Sequence, residues 1–185
     1  MSMGKKNLLL HTCCAPCGTH CVKELLEDYD VTMFFYNPNI HPSGEYYKRY
    51  ENALKASKEL GVPVIEGAYS PQEWLEMIKG FEEEPEGGTR CKICFSIRLA
   101  ETARYAKLHG FDAFTTTMTI SPHKDADVIN KLGAELAKKH RISWVHSDFK
   151  KNDGFRKSTE LSKKMGLYRQ NYCGCFYSVR AEPEK

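Results

Sequence analysis

Seven cysteines stand in three tight groups, Cys13-Cys14-Ala15-Pro16-Cys17, Cys91-Lys92-Ile93-Cys94 and Cys173-Gly174-Cys175, with long stretches of chain between them. Any fold must either scatter these thiols or bring them together, and the two outcomes imply different chemistry. Disulfides are the reading for a small exported chain. Here the chain has 185 residues, one domain's worth, and Leu8-Leu9-Leu10 after Lys5 and Lys6 is far too short for a signal-peptide core. No apolar run approaches the roughly 20 residues of a membrane span. The expectation is therefore a cytoplasmic protein with no membrane partner, in a reducing compartment where clustered thiols serve as metal ligands or redox catalysts.

The intervening sequence alternates short apolar runs with helical patterns. Strands are expected over 7–11, 31–36, 62–65, 111–116 and 142–146. Helices are expected over 20–28, from Ser43 as N-cap to Leu60 with Gly61 as the stop, and over 71–79, 91–109, 126–140 and 154–165. Loops should fill 12–18, 37–42, 82–89 and 117–123. Strands alternating with helices in this rhythm predict an α/β fold, a parallel sheet flanked by helices on right-handed crossovers, in a single domain over 1–185. Its cysteine-rich C-terminal segment spans about 166–180. Ligands bind such sheets beyond the carboxyl ends of the strands, which is where Cys13–Cys17, Tyr36, Asn37, Thr116–Lys124 and Asp148–Lys151 should fall.

A C-x-x-C places two thiolates on one side of a turn, close enough to share a metal or cluster. Both such pairs sit where a helix begins, and a helix N-terminus stabilises thiolates. Zinc takes four ligands and would leave three or four cysteines without a task. A thioredoxin-like dithiol would leave still more idle. Seven thiolates fit an iron–sulfur cluster plus a second metal better, with Cys21 read as a small apolar residue buried on the first helix.

Charge is unevenly spread: residues 66–86 hold seven Glu and one Lys, and residues 148–180 hold eight Lys/Arg against three acids. The basic run is either a solvated surface or a phosphate-binding one. Candidate backbone contacts to a nucleic acid are Lys124, Lys150, Lys151, Arg156, Lys157 and Arg169. Arg90 and Arg98 flank the second C-x-x-C, and Tyr168-Arg169-Gln170-Asn171-Tyr172 runs into Cys173 with groups suited to a base or ribose. His11, His41 and His123 are possible proton donors, and Asp148 or Glu45 could ligate a metal or deliver a proton.

Leu10-His11-Thr12-Cys13-Cys14-Ala15-Pro16-Cys17, Tyr36-Asn37-Pro38-Asn39-Ile40, Arg90-Cys91-Lys92-Ile93-Cys94, the run from Thr116 to Lys124, and Tyr168-Arg169-Gln170-Asn171-Tyr172-Cys173-Gly174-Cys175 occur in that order. From Leu8 to about Ser178 this pattern resembles the QueH family of cobalamin-independent epoxyqueuosine reductases. The resemblance implies a Rossmann-like, adenine-nucleotide hydrolase-like fold, a [4Fe-4S] cluster and an additional mononuclear iron. It implies the last step of queuosine biosynthesis, in which epoxyqueuosine in the anticodon region of tRNA loses its epoxide oxygen, with electrons from an external donor such as a ferredoxin or flavodoxin.

On that reading Cys13, Cys14, Cys17, Cys91, Cys94, Cys173 and Cys175 are metal ligands, with Cys91, Cys94 and two others holding the cluster. Cys14, Cys17 and Asp148 are the catalytic candidates. Tyr36, Asn37, Arg90, Lys124, Lys150, Arg169, Gln170 and Tyr172 are the substrate-binding candidates. Two other readings stay open. An iron–sulfur tRNA thiolation enzyme of the same fold would want a Ser/Gly-rich phosphate loop where Cys13–Cys17 stands, and Pro16 removes a backbone donor there. A non-catalytic, zinc-stabilised RNA-binding module is the other.

Overall fold

The computed structural model describes residues 4–179; the ends 1–3 and 180–185, with Arg180 of the basic run, lie outside the described residues. Five strands form one all-parallel sheet: β1 (Lys6–His11), β2 (Tyr29–Phe35), β3 (Val64–Glu66), β4 (Ala113–Thr116) and β5 (Ser143–Trp144), in the order β3-β2-β1-β4-β5. Around it pack α1 (Ala15–Leu25), α2 (Ser43–Leu60), α3 (Pro71–Met77), α4 (Thr89–Leu108), α5 (Ala126–His140) and α6 (Gly154–Lys164).

The centre of the sheet explains why β1 is so apolar. Leu8, Leu9 and Leu10 are all fully buried, as expected for a strand covered on both faces. Leu8 and Leu10 pack with Cys21, Val22 and Leu25 of α1 and with Val31 and Met33 of β2. Leu9 points the other way, into Phe95, Leu99 and Ala103 of α4 and Ile129 and Leu136 of α5. Cys21 is thus a core residue, as read from its position. α6 and α2 in turn pack on α1.

The chain winds outward from β1 to β3, then returns to build β4 and β5 on the other side. The reversal lies between β1 and β4, which pair in register from Leu8↔Ala113 to His11↔Thr116. Such a switch point opens a crevice beyond the carboxyl ends of the strands, and the Cys13–Cys17 segment and the loop after β4 both emerge there.

Several boundaries differ from expectation for local reasons. α1 begins at Ala15 rather than at residue 20, because Pro16 sits in its first turn, where a missing N–H costs nothing. Cys17 is therefore helical. α1 also ends at Leu25, three residues short of the expected end. Ser43 is the first residue of α2; Pro42 is the N-cap and no side chain caps the helix. Gly61 does close α2, at φ 68°, where a side chain would be strained. β3 starts two residues later than predicted, at Val64, and runs on to Glu66. β4 is shortened at its start and β5 at both ends, and α3 and α6 each end slightly early. α4 starts two residues early, at Thr89, and the loop after β4 contains a 3-10 turn, Thr117–Ile120, capped by Thr116. α5 matches its expected span, with Asp125 accepting hydrogen bonds from the backbone N–H groups of Asp127 and Val128.

Candidate metal centre

The first sulfur set is built by the β1–α1 junction. Cys13 lies in the bend after β1, Cys14 on extended backbone and Cys17 on the first turn of α1, and their three sulfurs come within 4.8 Å of one another. Cys13 is anchored from β4's side: its N–H donates to Thr117 Oγ1 at 3.2 Å, and its sulfur lies 3.4 Å from the same hydroxyl. The Cys14 sulfur, 4.0 Å from that of Cys13, and the Cys17 sulfur act with Lys124 to hold the Cys13 thiol well below its ordinary range. The same contacts with Cys13, and burial, push Cys14 up to about 12 and Cys17 higher than usual as well.

The second set joins elements far apart in sequence. Cys91 and Cys94 lie in the opening turns of α4, while Cys173 and Cys175 come from the C-terminal segment; all four line one enclosed cavity with Asn39, Trp74, Arg90 and Phe95. Burial raises the Cys91 thiol and pushes Cys94 up to about 11.

Sequence reasoning did not find what brings Cys173 and Cys175 here. Arg49 on α2 is 1% exposed and ion-paired with Glu45 at 2.6 Å. It donates from Nη1 to the Cys173 carbonyl at 2.9 Å and from Nη2 to the Tyr172 carbonyl at 3.3 Å. The His41 N–H donates to Gly174 O at 2.8 Å, and the Tyr172 hydroxyl donates back to His41 O at 2.7 Å. Glu45, read as a possible ligand or acid, instead orients Arg49 and accepts from the Tyr168 hydroxyl.

Cys173 belongs to both sites. It also lines a cavity of about 180 Å³ with Cys13, Cys17, Lys124, Phe155, Ser158 and the run 169–172. Between the sets lies Arg98, 1% exposed, with Nη1 on Asn37 Oδ1 and its charge felt by Cys94, Cys173, Cys13 and Cys91. Lys124 is desolvated beside Cys173, Cys13 and Cys17, yet the negative charge those sulfurs can carry keeps it protonated beyond the ordinary lysine range.

The seven cysteines fall into two adjoining sets, of which Cys13, Cys14 and Cys17 have sulfurs within 4.8 Å of one another and Cys91, Cys94, Cys173 and Cys175 line a common cavity, while Lys124, Arg169, Gln170 and Tyr172 stand at the wall of the neighbouring one. Other expected site residues have different tasks. Tyr36 stacks on Phe34, and its hydroxyl is pushed up to about 12 by burial and by Glu101 and Glu73. Asn37 is fully buried and bridges Thr12 O to Arg98. Arg90 donates to the carbonyls of Glu82 at 2.7 Å and of Glu84, pinning the acidic loop over the second set. Lys150 donates to Lys124 O at 3.0 Å, and Asp148 lines an adjoining groove with His123 and Lys124 rather than the cysteine cavity. His11 is a neutral spacer: burial, with Arg98 nearby, pushes it down to about 3, and its ring bridges the Thr116 hydroxyl and Tyr36 O. Sequence reasoning also missed Phe155, 42% exposed at the cavity rim, whose signal was an aromatic residue beside cations on α6.

The donor set can be tested for fit. All eight cysteines are free. The buried N–H groups Trp74 Nε1, Arg90 Nε and Arg98 Nη2 have no hydrogen-bond partner among the described residues, although such orphans are rare. Orphaned donors around four thiols fit an anionic, sulfur-rich group, and a separate trio fits a second metal. One saturated zinc would leave the surplus sulfurs without a role.

The profile of the family described as "Epoxyqueuosine reductase QueH" matches residues 8–181. Proteins named epoxyqueuosine reductase QueH share 41% identity with the chain in Streptococcus pyogenes serotype M1, over 96% of this chain and 72% of that one. The Haemophilus influenzae protein shares 42%, over 96% and 73%, and that of Thermotoga maritima shares 36%, over 96% and 93%. Among solved structures, the U34-tRNA thiolase NcsA from Methanococcus maripaludis with its [4Fe-4S] cluster superposes with a TM-score of 0.60 at 14% identity. This chain spans 96% of its own length and 63% of the thiolase's, a likeness of fold.

Proposed function

This chain belongs to the epoxyqueuosine reductase QueH family, and from that premise we propose that it is an oxidoreductase that removes the epoxide oxygen of epoxyqueuosine in tRNA to give queuosine. The observation that supports it most is the meeting of the two sulfur sets at Cys173, with a cavity on the open side lined by Lys124, Gln170 and Tyr172. Turning an epoxide into an alkene takes two electrons and two protons and releases the oxygen as water.

In this reading Cys91, Cys94, Cys173 and Cys175 hold a [4Fe-4S] cluster, and Cys13, Cys14 and Cys17 hold a mononuclear iron. The iron centres, when bound, supply electrons one at a time and a Lewis-acidic position for the departing oxygen. The protein's own residues do the rest. Lys124, half-buried at the cavity wall, balances thiolate charge and places an ammonium against the cavity. Gln170, Asn171 and Tyr172 form the wall that a modified base would meet, and Phe155 offers a stacking face at the rim. α6 carries Arg156, Lys157, Lys163 and Lys164 on an exposed surface beside this opening, for the phosphates of the anticodon region. Asp148, in the adjoining groove, is within reach of Lys124's loop rather than of the sulfurs.

ATP-dependent thiolation is not favoured: α1 opens on Cys14-Ala15-Pro16, which lacks the run of backbone donors a phosphate needs. No helix among the described residues is long and apolar enough to cross a membrane. We place the reaction in the cytoplasm, with a ferredoxin or flavodoxin as electron donor. The test is a single-turnover assay: protein reconstituted with iron and sulfide anaerobically, reduced, and mixed with tRNA bearing epoxyqueuosine. Conversion to queuosine is expected; no conversion with the iron centres intact would end the proposal.

A further inference from the structure

Trp74 has no part in the reading above, yet it is the largest side chain buried against the second sulfur set. It is 1% exposed, lines the same cavity as Cys91, Cys94, Cys173 and Cys175, and packs with Cys94, Cys175 and Ile78. The His41 ring, at 5.4 Å, supports it from behind, with Phe176 beyond at 4.3 Å from His41. Its Nε1–H is buried without a hydrogen-bond partner among the described residues, and a buried donor left unpaired is unfavourable. The other tryptophan shows the ordinary arrangement: Trp144 donates to Asn130 Oδ1 at 3.1 Å. Of the cavity sulfurs, those of Cys94 and Cys175 belong to the residues the indole packs against.

We propose that Trp74 is a positioning residue for the redox centre, its indole N–H donating to the Cys94 sulfur once metal is bound and so raising the centre's reduction potential. This rests on Cys94 being an iron ligand. An N–H···S bond strengthens as electron density on sulfur grows, so it favours the reduced state, and hydrogen bonds to the sulfurs are among the levers that set a cluster's potential.

Two measurements test it. In Trp74→Phe the ring stays and the donor goes, so iron and sulfide content should match the wild type while the midpoint potential shifts to a more negative value. Separately, wild-type protein carrying 15N-indole tryptophan, reduced and examined by pulsed EPR, should show one 15N coupled to the centre, lost in Trp74→Phe and kept in Trp144→Phe. Absence of that coupling in the wild type overturns the proposal, whatever the potential does. If Trp74→Phe fails to load iron, the labelled wild type alone decides. If Cys94→Ser keeps its full iron–sulfur signal, or the wild type has none, the ligand reading itself fails and the proposal falls with it.

Discussion

Replacing Arg49 by Met removes the clamp that carries Cys173 and Cys175 to the second sulfur set. The guanidinium is 1% exposed, its Glu45 partner 11%, and it also holds the carbonyls of Tyr172 and Cys173. Breaking a buried pair by removing one partner costs about 3–5 kcal/mol. Glu45 keeps the Tyr168 hydroxyl at 3.1 Å as a residual donor, so the lower end, about 3 kcal/mol, applies. The loss should be local, because Tyr46, Ala53 and Ala56 of α2 stay buried in the core without Arg49. About 3 kcal/mol is roughly a hundredfold in an equilibrium constant. Hydrogen exchange followed by mass spectrometry should therefore show the 168–179 segment exchanging about a hundredfold faster, with β1 unchanged. The variant should also lose the iron held by the second set. Arg49→Lys should fall between the two, since it keeps the charge but not the fork. Unchanged protection of 168–179 in Arg49→Met would show that other contacts hold the segment and that the clamp is misread.

In Gly154→Ala the new Cβ would sit 1.7 Å from the Phe149 carbonyl oxygen, so α6 must shift; a loss of about 2–3 kcal/mol in urea unfolding is expected, and an unchanged midpoint would contradict the close approach. Phe155→Leu should raise the KM for substrate tRNA about tenfold, the value of one lost stacking contact, with kcat and thermal stability little changed. Lys157, exposed on α6, should make one phosphate contact: Lys157→Gln should weaken tRNA binding and lower the slope of log K against log salt by about 1, and a slope equal to the wild type's would remove that contact.

The fold was legible because its signals are local. Leu8-Leu9-Leu10 reads as part of a short apolar strand and Gly61 as a helix stop, and the structure uses each that way. The cysteine spacing made the placement of Cys14, Cys17, Cys91 and Cys94 legible for the same reason, since C-x-x-C at a helix start is a local pattern. What could not be read depends on distance. Arg49 meets Cys173 across 124 positions, and within its own helix it looks like an ordinary i,i+4 partner of Glu45. Tyr36 and Asn37 were expected at the substrate because they follow β2, yet the residue after a strand can still face inward, and here both do. Arg98 looked equally like surface; its burial follows from two sulfur sets closing over it. Trp74 lies in an acidic, low-signal stretch where only packing shows its importance.

The most direct test of the account is to purify the protein without oxygen and determine iron, zinc and acid-labile sulfide per chain. Two sulfur sets meeting at Cys173 predict iron and sulfide together, with iron in excess of sulfide and a broad absorbance near 400 nm. One zinc per chain with no sulfide would contradict it.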